Sequence, residues 1–369
     1  MSAASKARRN HPDLKITVLE QTSDVSYSAC GMPYNIAVPG REMDDLIVRK
    51  AEVFKVKQGI DLMLGRKAIS IDPKARKVVH TGKAGDESEL HYDKLLIATG
   101  ARPVIPDMPG VNLPGVLALK SLEDGRAVKR FMAENKVSKA VIIGMGYIGL
   151  EMAEAFHERG IEVHMVKPSK RFIPYLPQEM SEVVSSELTE KGIQLHFGIE
   201  PKSVRKSGSS LALESNEGEI QTDMVLISVG VTPNSEIASD AGITPGPRSS
   251  IAVDKFMKTS DPDIFAAGDC ADAFHVVTGK RVWIPLALRA NRAGWAVADN
   301  LVIDTVELPG IVGTAVFRTL DMEVARTGLS LDEASREGFD AVGEVIKSRS
   351  RAHAHPGNQT IHVHLVADR

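Results

Sequence analysis

Two cysteines, Cys30 and Cys270, stand far apart in this chain of 369 residues. Cys30 lies in the run Ser26-Tyr27-Ser28-Ala29-Cys30-Gly31-Met32-Pro33, a short way after the apolar run Ile16-Thr17-Val18-Leu19-Glu20. A thiol that closes an internal disulfide needs a second thiol close by, and none follows Cys30. A redox role for Cys30 is therefore confined to two oxidised forms, a mixed disulfide with a small external thiol or a sulfenic acid. The reacting species is a thiolate. Pro33 in the first turn of a helix places Cys30 near that helix's positive end, which favours the thiolate. The plain alternative is an inert buried thiol. Cys270, beside Gly268-Asp269, reads as a small buried residue rather than a redox partner.

Phosphate chemistry is signalled at Val141-Ile142-Ile143-Gly144-Met145-Gly146-Tyr147-Ile148-Gly149-Leu150-Glu151. This is a G-x-G-x-x-G turn after the apolar run Lys139–Ile143 and before an amphipathic helix expected over Leu150–Arg159. Gly144 permits the tight turn, Gly146 lets the backbone approach a pyrophosphate, and Gly149 lets helix and strand pack closely. The ribose selector falls about 20 residues on. Lys167 stands there, followed by Lys170 and Arg171. Cations suit the 2′-phosphate of NADP, where an acid would suit NAD; a solvated basic loop is the other reading.

Glu20 occupies the matching strand end early in the chain and suits the free ribose hydroxyls of an ADP moiety such as that of FAD. Gly268-Asp269 ends the run Ile264-Phe265-Ala266-Ala267, and such an aspartate can accept a flavin ribityl hydroxyl. Taken alone, Gly-Asp is a common turn. Two His-x-His pairs, His353/His355 and His362/His364, close the chain. No cysteine or acid cluster accompanies them, and no metal is expected there.

The elements that must position these groups form an internal repeat. Asp93-Lys94-Leu95-Leu96-Ile97-Ala98-Thr99-Gly100 has the spacing of Asp223-Met224-Val225-Leu226-Ile227-Ser228-Val229-Gly230. Each reads as a buried parallel strand ending in a glycine turn. The second copy follows a strand, glycine loop, helix and strand. The first follows only a helix and the strand ending at Glu20. The symmetry predicts two dinucleotide-binding units, the first lacking its opening strand and phosphate loop.

A net charge of −3 gives no sign of a nucleic-acid partner. No apolar run is long enough to span a bilayer. Two cysteines at this length favour a reducing, cytoplasmic compartment over a disulfide scaffold. The start, Met1 to Asn10, is Ser- and Arg-rich without acids and has the look of a transit peptide. A helix leading into the strand that follows at once is the preferred reading.

In this order, Ser28-Ala29-Cys30-Gly31-Met32-Pro33-Tyr34, Leu95 to Gly100, Gly144 to Glu151, Gly230-Val231-Thr232-Pro233-Asn234, and Thr259-Ser260-Asp261-Pro262-Asp263 through Gly268-Asp269-Cys270 resemble the FAD-dependent pyridine nucleotide-disulfide oxidoreductases. The resemblance covers essentially the whole chain. It is strongest to the single-cysteine branch, the coenzyme A-disulfide reductases, with NADH oxidases and peroxidases as relatives.

The resemblance implies an α/β fold with two Rossmann-like dinucleotide-binding domains and a partial α+β interface domain. It places the FAD domain at 1–112 and 243–306, the NAD(P) domain at 113–242 and the interface domain at 307–369. Cys30 matches the redox cysteine beside the flavin. Glu20, Thr99, Gly100, Gly268 and Asp269 match the FAD site. Gly144, Gly146, Ile148, Gly149, Glu151 and Gly230 match the nicotinamide-dinucleotide site, with Lys167 as the selector. Lys6, Arg9, Ser26 and Asn291 match contacts to coenzyme A, the two cations suiting its phosphates.

Three departures accompany the resemblance. The family's first strand and glycine loop are not in the sequence. The chain stops at Val366-Ala367-Asp368-Arg369, inside the interface domain. Ala354-His355 stands where many relatives carry Tyr-Tyr. The expected activity is reduction of a low-molecular-weight disulfide, persulfide or polysulfide, derived from coenzyme A, by NADPH (or NADH) through FAD and a mixed disulfide on Cys30, in a homodimer of the full-length form. The alternatives are an NAD(P)H oxidase or peroxidase with a Cys30 sulfenic acid, and an inactive fragment that binds flavin weakly.

Overall fold

A computed structural model describes residues 1–303 and 305–369. The chain forms two compact units, each assembled from three segments. The first comprises Met1–Val104, Lys120–Arg126 and Val231–Gly313; the second comprises Ile105–Leu119, Ala127–Gly230 and Thr314–Arg369.

The second unit is built on five parallel strands in the order Gln194–Phe197, Glu162–Lys167, Lys139–Ile143, Met224–Ile227, Val116–Ala118. Its middle strands are wholly apolar where they lie deepest. Ala140, Val141, Ile142, Met224, Val225 and Leu226 are all 0% exposed. Such runs are the pattern of strands covered on both faces. From Ile143 the chain turns into the Tyr147–Glu158 helix and returns as Glu162–Lys167 on one side, while Met224–Ile227 lies on the other. The strand order thus reverses at the carboxyl ends of Lys139–Ile143 and Met224–Ile227, where α/β sheets place their ligands. An antiparallel meander (Pro201–Ser207, Ser210–Ser215, Gly218–Thr222) and two hairpins (Ala315–Thr319 with Met322–Arg326, Ala341–Arg349 with Thr360–Asp368) complete this unit. The helix begins at Tyr147, earlier than expected, because Gly146 ends the extended turn and serves as its N-cap.

In the first unit the same motifs are dispersed. Thr17–Glu20 pairs in parallel with Asp61–Leu64, and Leu95–Ile97 pairs in parallel with Ile264–Ala266. Among the described residues no strand joins these two pairs, whereas Lys139–Ile143 joins their counterparts in the second unit. A three-stranded antiparallel sheet, Lys67–Asp72, Lys77–Thr81 and Glu87–His91, lies alongside. The core gathers Ile97, Ile251, Val253, Ile264, Phe265, Cys270, Ala293 and Val297. The expected first helix spans Ser2–Asn10 and leads to the Thr17–Glu20 strand. Its small residues Ala3 and Ala7 are buried. Gly294 of the Ala287–Asn300 helix lets it approach; a Cβ there would lie 3.3 Å from the Ala3 amide nitrogen. No helix among the described residues is long and apolar enough to cross a membrane.

Candidate functional site

In the second unit the three glycines of the loop differ in what surrounds them. Gly144 has φ +109°, and a Cβ there would lie 2.2 Å from the Ser228 carbonyl oxygen. A Cβ at Gly149 would lie 2.6 Å from the Gly144 carbonyl oxygen. At Gly146 it would meet nothing within 4 Å. Packing inside the protein therefore demands glycine at two positions, while the third faces open space. The Gly144 amide donates to Val166 O (2.9 Å) and the Ser228 amide to Ile143 O (2.8 Å), lacing the loop to the strand ends. The helix starts without a side-chain cap, with Ile148 in its first turn. Its first-turn amides are oriented to take an anionic acceptor. Gly230, at the end of the neighbouring strand, also faces open space. These residues fit the pyrophosphate and sugar of a nicotinamide dinucleotide.

One turn into that helix, burial and the nearby Glu154 push the Glu151 carboxyl up to about 7. Glu154 is itself buried, and its Oε2 accepts from the Leu320 amide (2.9 Å). Burial raises Glu154 too, opposed by that amide and by Arg318. At the selector position, Lys167 Nζ donates to the Phe172 carbonyl (2.6 Å), and burial lowers its pKa. Arg171 reaches Asp332 (2.8 Å) and the Pro174 carbonyl (2.9 Å). Lys170 is exposed on the same loop. Two of the three cations are thus turned onto the protein.

In the first unit Thr99-Gly100 follows Leu95–Ile97, and Gly268-Asp269 follows Ile264–Ala266. Parallel pairing makes both turns leave from the same end of the two strands. Gly268 has φ +90°, and a Cβ there or at Gly100 would stand in open space. The Asp269 carboxylate accepts from Lys120 Nζ (2.8 Å), and the Asp269 carbonyl accepts from Trp283 Nε1 (2.9 Å). Asn234 staples the other turn. Its side chain donates to Thr99 O (2.9 Å), its amide donates to Gly100 O (2.9 Å), and the Thr99 hydroxyl donates back to the Asn234 carbonyl.

Glu20 Oε1 accepts from both the amide and the hydroxyl of Thr22 (2.8 Å each). The open glycine turns and these held carboxylates fit an FAD. Lys120, Asn234 and Trp283 carry this geometry and were not among the residues singled out from the sequence. Asn234 closes the Gly230 to Asn234 motif, a usable signal; nothing in the sequence marked the other two.

Cys270 is fully buried, its thiol facing Ile97 O (3.5 Å) and Ala267 O (3.4 Å), and burial pushes its pKa up. It is a core residue, as expected. Cys30 is exposed. It sits in the 3-10 turn Ala29–Gly31 directly before the Met32–Ala37 helix, with Pro33 in the first turn. Leu46 supports the turn from beneath: its carbonyl accepts from the Ser28 amide (2.9 Å), and a Cβ on Gly31 would lie 2.5 Å from Leu46 Cδ2. Apolar packing therefore holds the backbone and leaves the sulfur open.

The helix pair Ser2–Asn10 and Ala287–Asn300 brings Lys6 and Asn291 onto adjoining elements, with Arg9 exposed on the first helix. Lys6 Nζ pairs with Asp299 (2.5 Å) and lies 5.9 Å from the centre of the Trp295 ring. Its charge is thus already offset. Ser26 lies elsewhere, in the Cys30 segment, where its carbonyl accepts from the Val48 amide (2.9 Å).

A family model described as pyridine nucleotide-disulphide oxidoreductase matches residues 1–294. The chain is 37% identical to the NAD(P)H sulfur oxidoreductase (CoA-dependent) of Pyrococcus furiosus, over 100% of this chain and 82% of the relative. It is 31% identical to an NADH oxidase of Methanocaldococcus jannaschii, over 99% and 82%. The solved structure of a NAD-dependent persulfide reductase from A. fulgidus superposes with a TM-score of 0.95 at 34% identity, covering 100% of this chain and 69% of that one.

Proposed function

Because the chain belongs to the pyridine nucleotide-disulphide oxidoreductases, we propose that it uses NAD(P)H to reduce a low-molecular-weight disulfide, persulfide or polysulfide derived from coenzyme A, through a mixed disulfide on Cys30. The observation that carries this reading is an exposed Cys30 whose only fellow cysteine is sealed in the core. The second sulfur must then come from outside this chain.

FAD is assigned to Glu20, Thr99, Gly100, Gly268 and Asp269. The nicotinamide dinucleotide is assigned to Gly144, Gly146, Ile148, Gly149, Glu151 and Gly230. When bound, the two dinucleotides supply the hydride and electron-pair transfer that protein side chains lack. The protein's part is to hold their phosphates on open glycine turns and to present the thiolate. Cys30 Sγ attacks one substrate sulfur, the sulfur–sulfur bond breaks, and the departing thiolate takes a proton from solvent. Two electrons, supplied ultimately by NAD(P)H, then cleave the mixed disulfide: Cys30 returns to its thiolate, and the second substrate sulfur leaves as a thiolate that takes a proton from solvent.

The proposed domains are 1–112 with 243–306 for FAD, 113–242 for NAD(P) and 307–369 for the interface of a cytoplasmic homodimer; their bounds differ from those of the two compact units. Lys6, Arg9, Ser26 and Asn291 are the proposed coenzyme A contacts. Lys6 serves there by exchanging Asp299 for a phosphate. NADPH preference rests on Lys167 with Lys170, of which Lys170 is the more exposed.

Intact mass of the oxidised protein before and after dithiothreitol is the test. Loss of a mass equal to coenzyme A supports the reading, and an unchanged mass counts against it. Cys30→Ser abolishes disulfide reduction on this reading, measured as disulfide-dependent NAD(P)H oxidation. A second reading, an NAD(P)H oxidase or peroxidase with a Cys30 sulfenic acid, draws on the same open, solitary thiol. Steady consumption of NAD(P)H by oxygen or peroxide with no disulfide added would favour it.

A further inference from the structure

One side chain pins both flanks of the Cys30 segment. Arg126 donates through Nη1 and Nη2 to the Asp24 carboxylate (2.7 and 3.1 Å). Through Nε and Nη2 it donates to Asp44 Oδ1 (2.9 and 2.7 Å), and through Nη1 to Glu123 Oε2 (3.3 Å). These contacts use the five N–H groups of a guanidinium in its fixed fork. Asp24 precedes Cys30, and Asp44 follows the Met32–Ala37 helix. The Asp24 side chain is only 10% exposed, so this pair escapes the solvent screening that makes surface ion pairs nearly worthless. Asp44 is 67% exposed and forms the weaker arm.

The neighbouring residue completes the clamp. A Cβ on Gly125 would lie 2.7 Å from Met43 Sδ and 3.4 Å from Met32 Sδ, so this part of the Leu122–Asn135 helix rests directly on the segment's buried side. On the other side the network continues. The Asp24 amide donates to Thr22 Oγ1 (3.3 Å), and that hydroxyl donates to Glu20 Oε1 (2.8 Å).

We propose that Arg126 is the positioning residue of the reactive thiol: by bridging Asp24 and Asp44 it fixes residues 25–43 in one place and couples the Cys30 turn to Glu20. The proposal rests on the reading of Cys30 as the reactive thiol. Lysine cannot replace Arg126, because a point charge engages one carboxylate and leaves the other arm loose.

The test uses the FAD-loaded protein with Arg126→Lys, Asp24→Asn, the double variant and Asp44→Asn. Amide hydrogen exchange of residues 25–43 is followed together with kcat for disulfide reduction and KM for NAD(P)H. Arg126→Lys is expected to speed exchange in that segment alone and to lower kcat about tenfold, as a displaced reacting group does. KM for NAD(P)H stays unchanged. Asp24→Asn costs less in the Arg126→Lys background than in the parent, since lysine has already given up the two-point fork on the Asp24 carboxylate. Asp44→Asn, at an exposed site that leaves folding intact, gives a smaller change of the same sign.

Unchanged exchange in 25–43, or exchange raised equally across the whole chain, overturns the proposal; so do additive effects of Arg126→Lys and Asp24→Asn. The exchange arm needs no substrate. If the parent protein reduces no disulfide, the functional reading fails, while the clamp is still judged by exchange.

Discussion

Gly144 and Gly146 sit two positions apart and answer to different demands. Gly144→Ala forces a side chain onto a left-handed backbone and against the Ser228 carbonyl. It should cost more than about 2 kcal/mol of stability, read by denaturant titration. Gly146→Ala meets open space at φ −87°. Its stability should stay within about 0.5 kcal/mol of the parent. Its affinity for NAD(P)H should nevertheless fall about tenfold, a loss of about 1.4 kcal/mol, measured by calorimetry. Glu151 gives a pH signature. Its carboxyl titrates near 7 in the folded protein against 4.5 ordinarily. Between those values the folded state keeps a proton that the unfolded chain has released, so stability falls as pH rises through the window. Glu151→Gln removes that loss: the variant should melt above the parent at pH 8 and level with it at pH 4. The packing roles of Gly144 and Gly149 were legible in the sequence, because the turn between strand and helix dictates them. The Glu151 shift was not, because it arises from burial and from Glu154.

At the scale of elements, glycine turns gather where parallel strands end. Leu95–Ile97 with Ile264–Ala266, and Lys139–Ile143 with Met224–Ile227, each deliver a pair of glycine turns to one edge. The repeat made these strands and their glycines legible, since apolar runs ending in glycine stand out in a single sequence. Lys120 and Arg126 act across long stretches of chain that only folding brings together, and no local pattern announces such partners. Asn234→Ala strips the side-chain half of the staple on Thr99-Gly100. We expect a loss of about 1 to 2 kcal/mol, and faster release of FAD on dilution, followed by filtration and flavin absorbance.

For the whole molecule, each unit recruits three separate segments, so each depends on contacts remote in sequence. Binding of a dinucleotide to the folded form alone raises stability by mass action. At a free FAD concentration of about 100 times Kd the gain is about 2.7 kcal/mol. For a unit of this size that is a rise of roughly 5 to 11 °C in the melting temperature. Stripping FAD and restoring it should lower and recover the transition by that amount in scanning calorimetry. The α/β fold class was legible from the repeat. The neutralisation of Lys6 by Asp299 was not, because a basic helix face looks identical in sequence whether solvent or a carboxylate meets it.

Of the two tryptophans in the chain, Trp283 has its indole N–H anchored on the backbone of Asp269, whereas Trp295 lies beside Lys6. The protein therefore carries an optical gauge within its own sequence. Excited indole passes its energy to a yellow isoalloxazine nearby, so adding FAD to stripped protein will dim the ultraviolet emission in proportion to occupancy. Trp283→Phe is expected to lessen that dimming in the same titration.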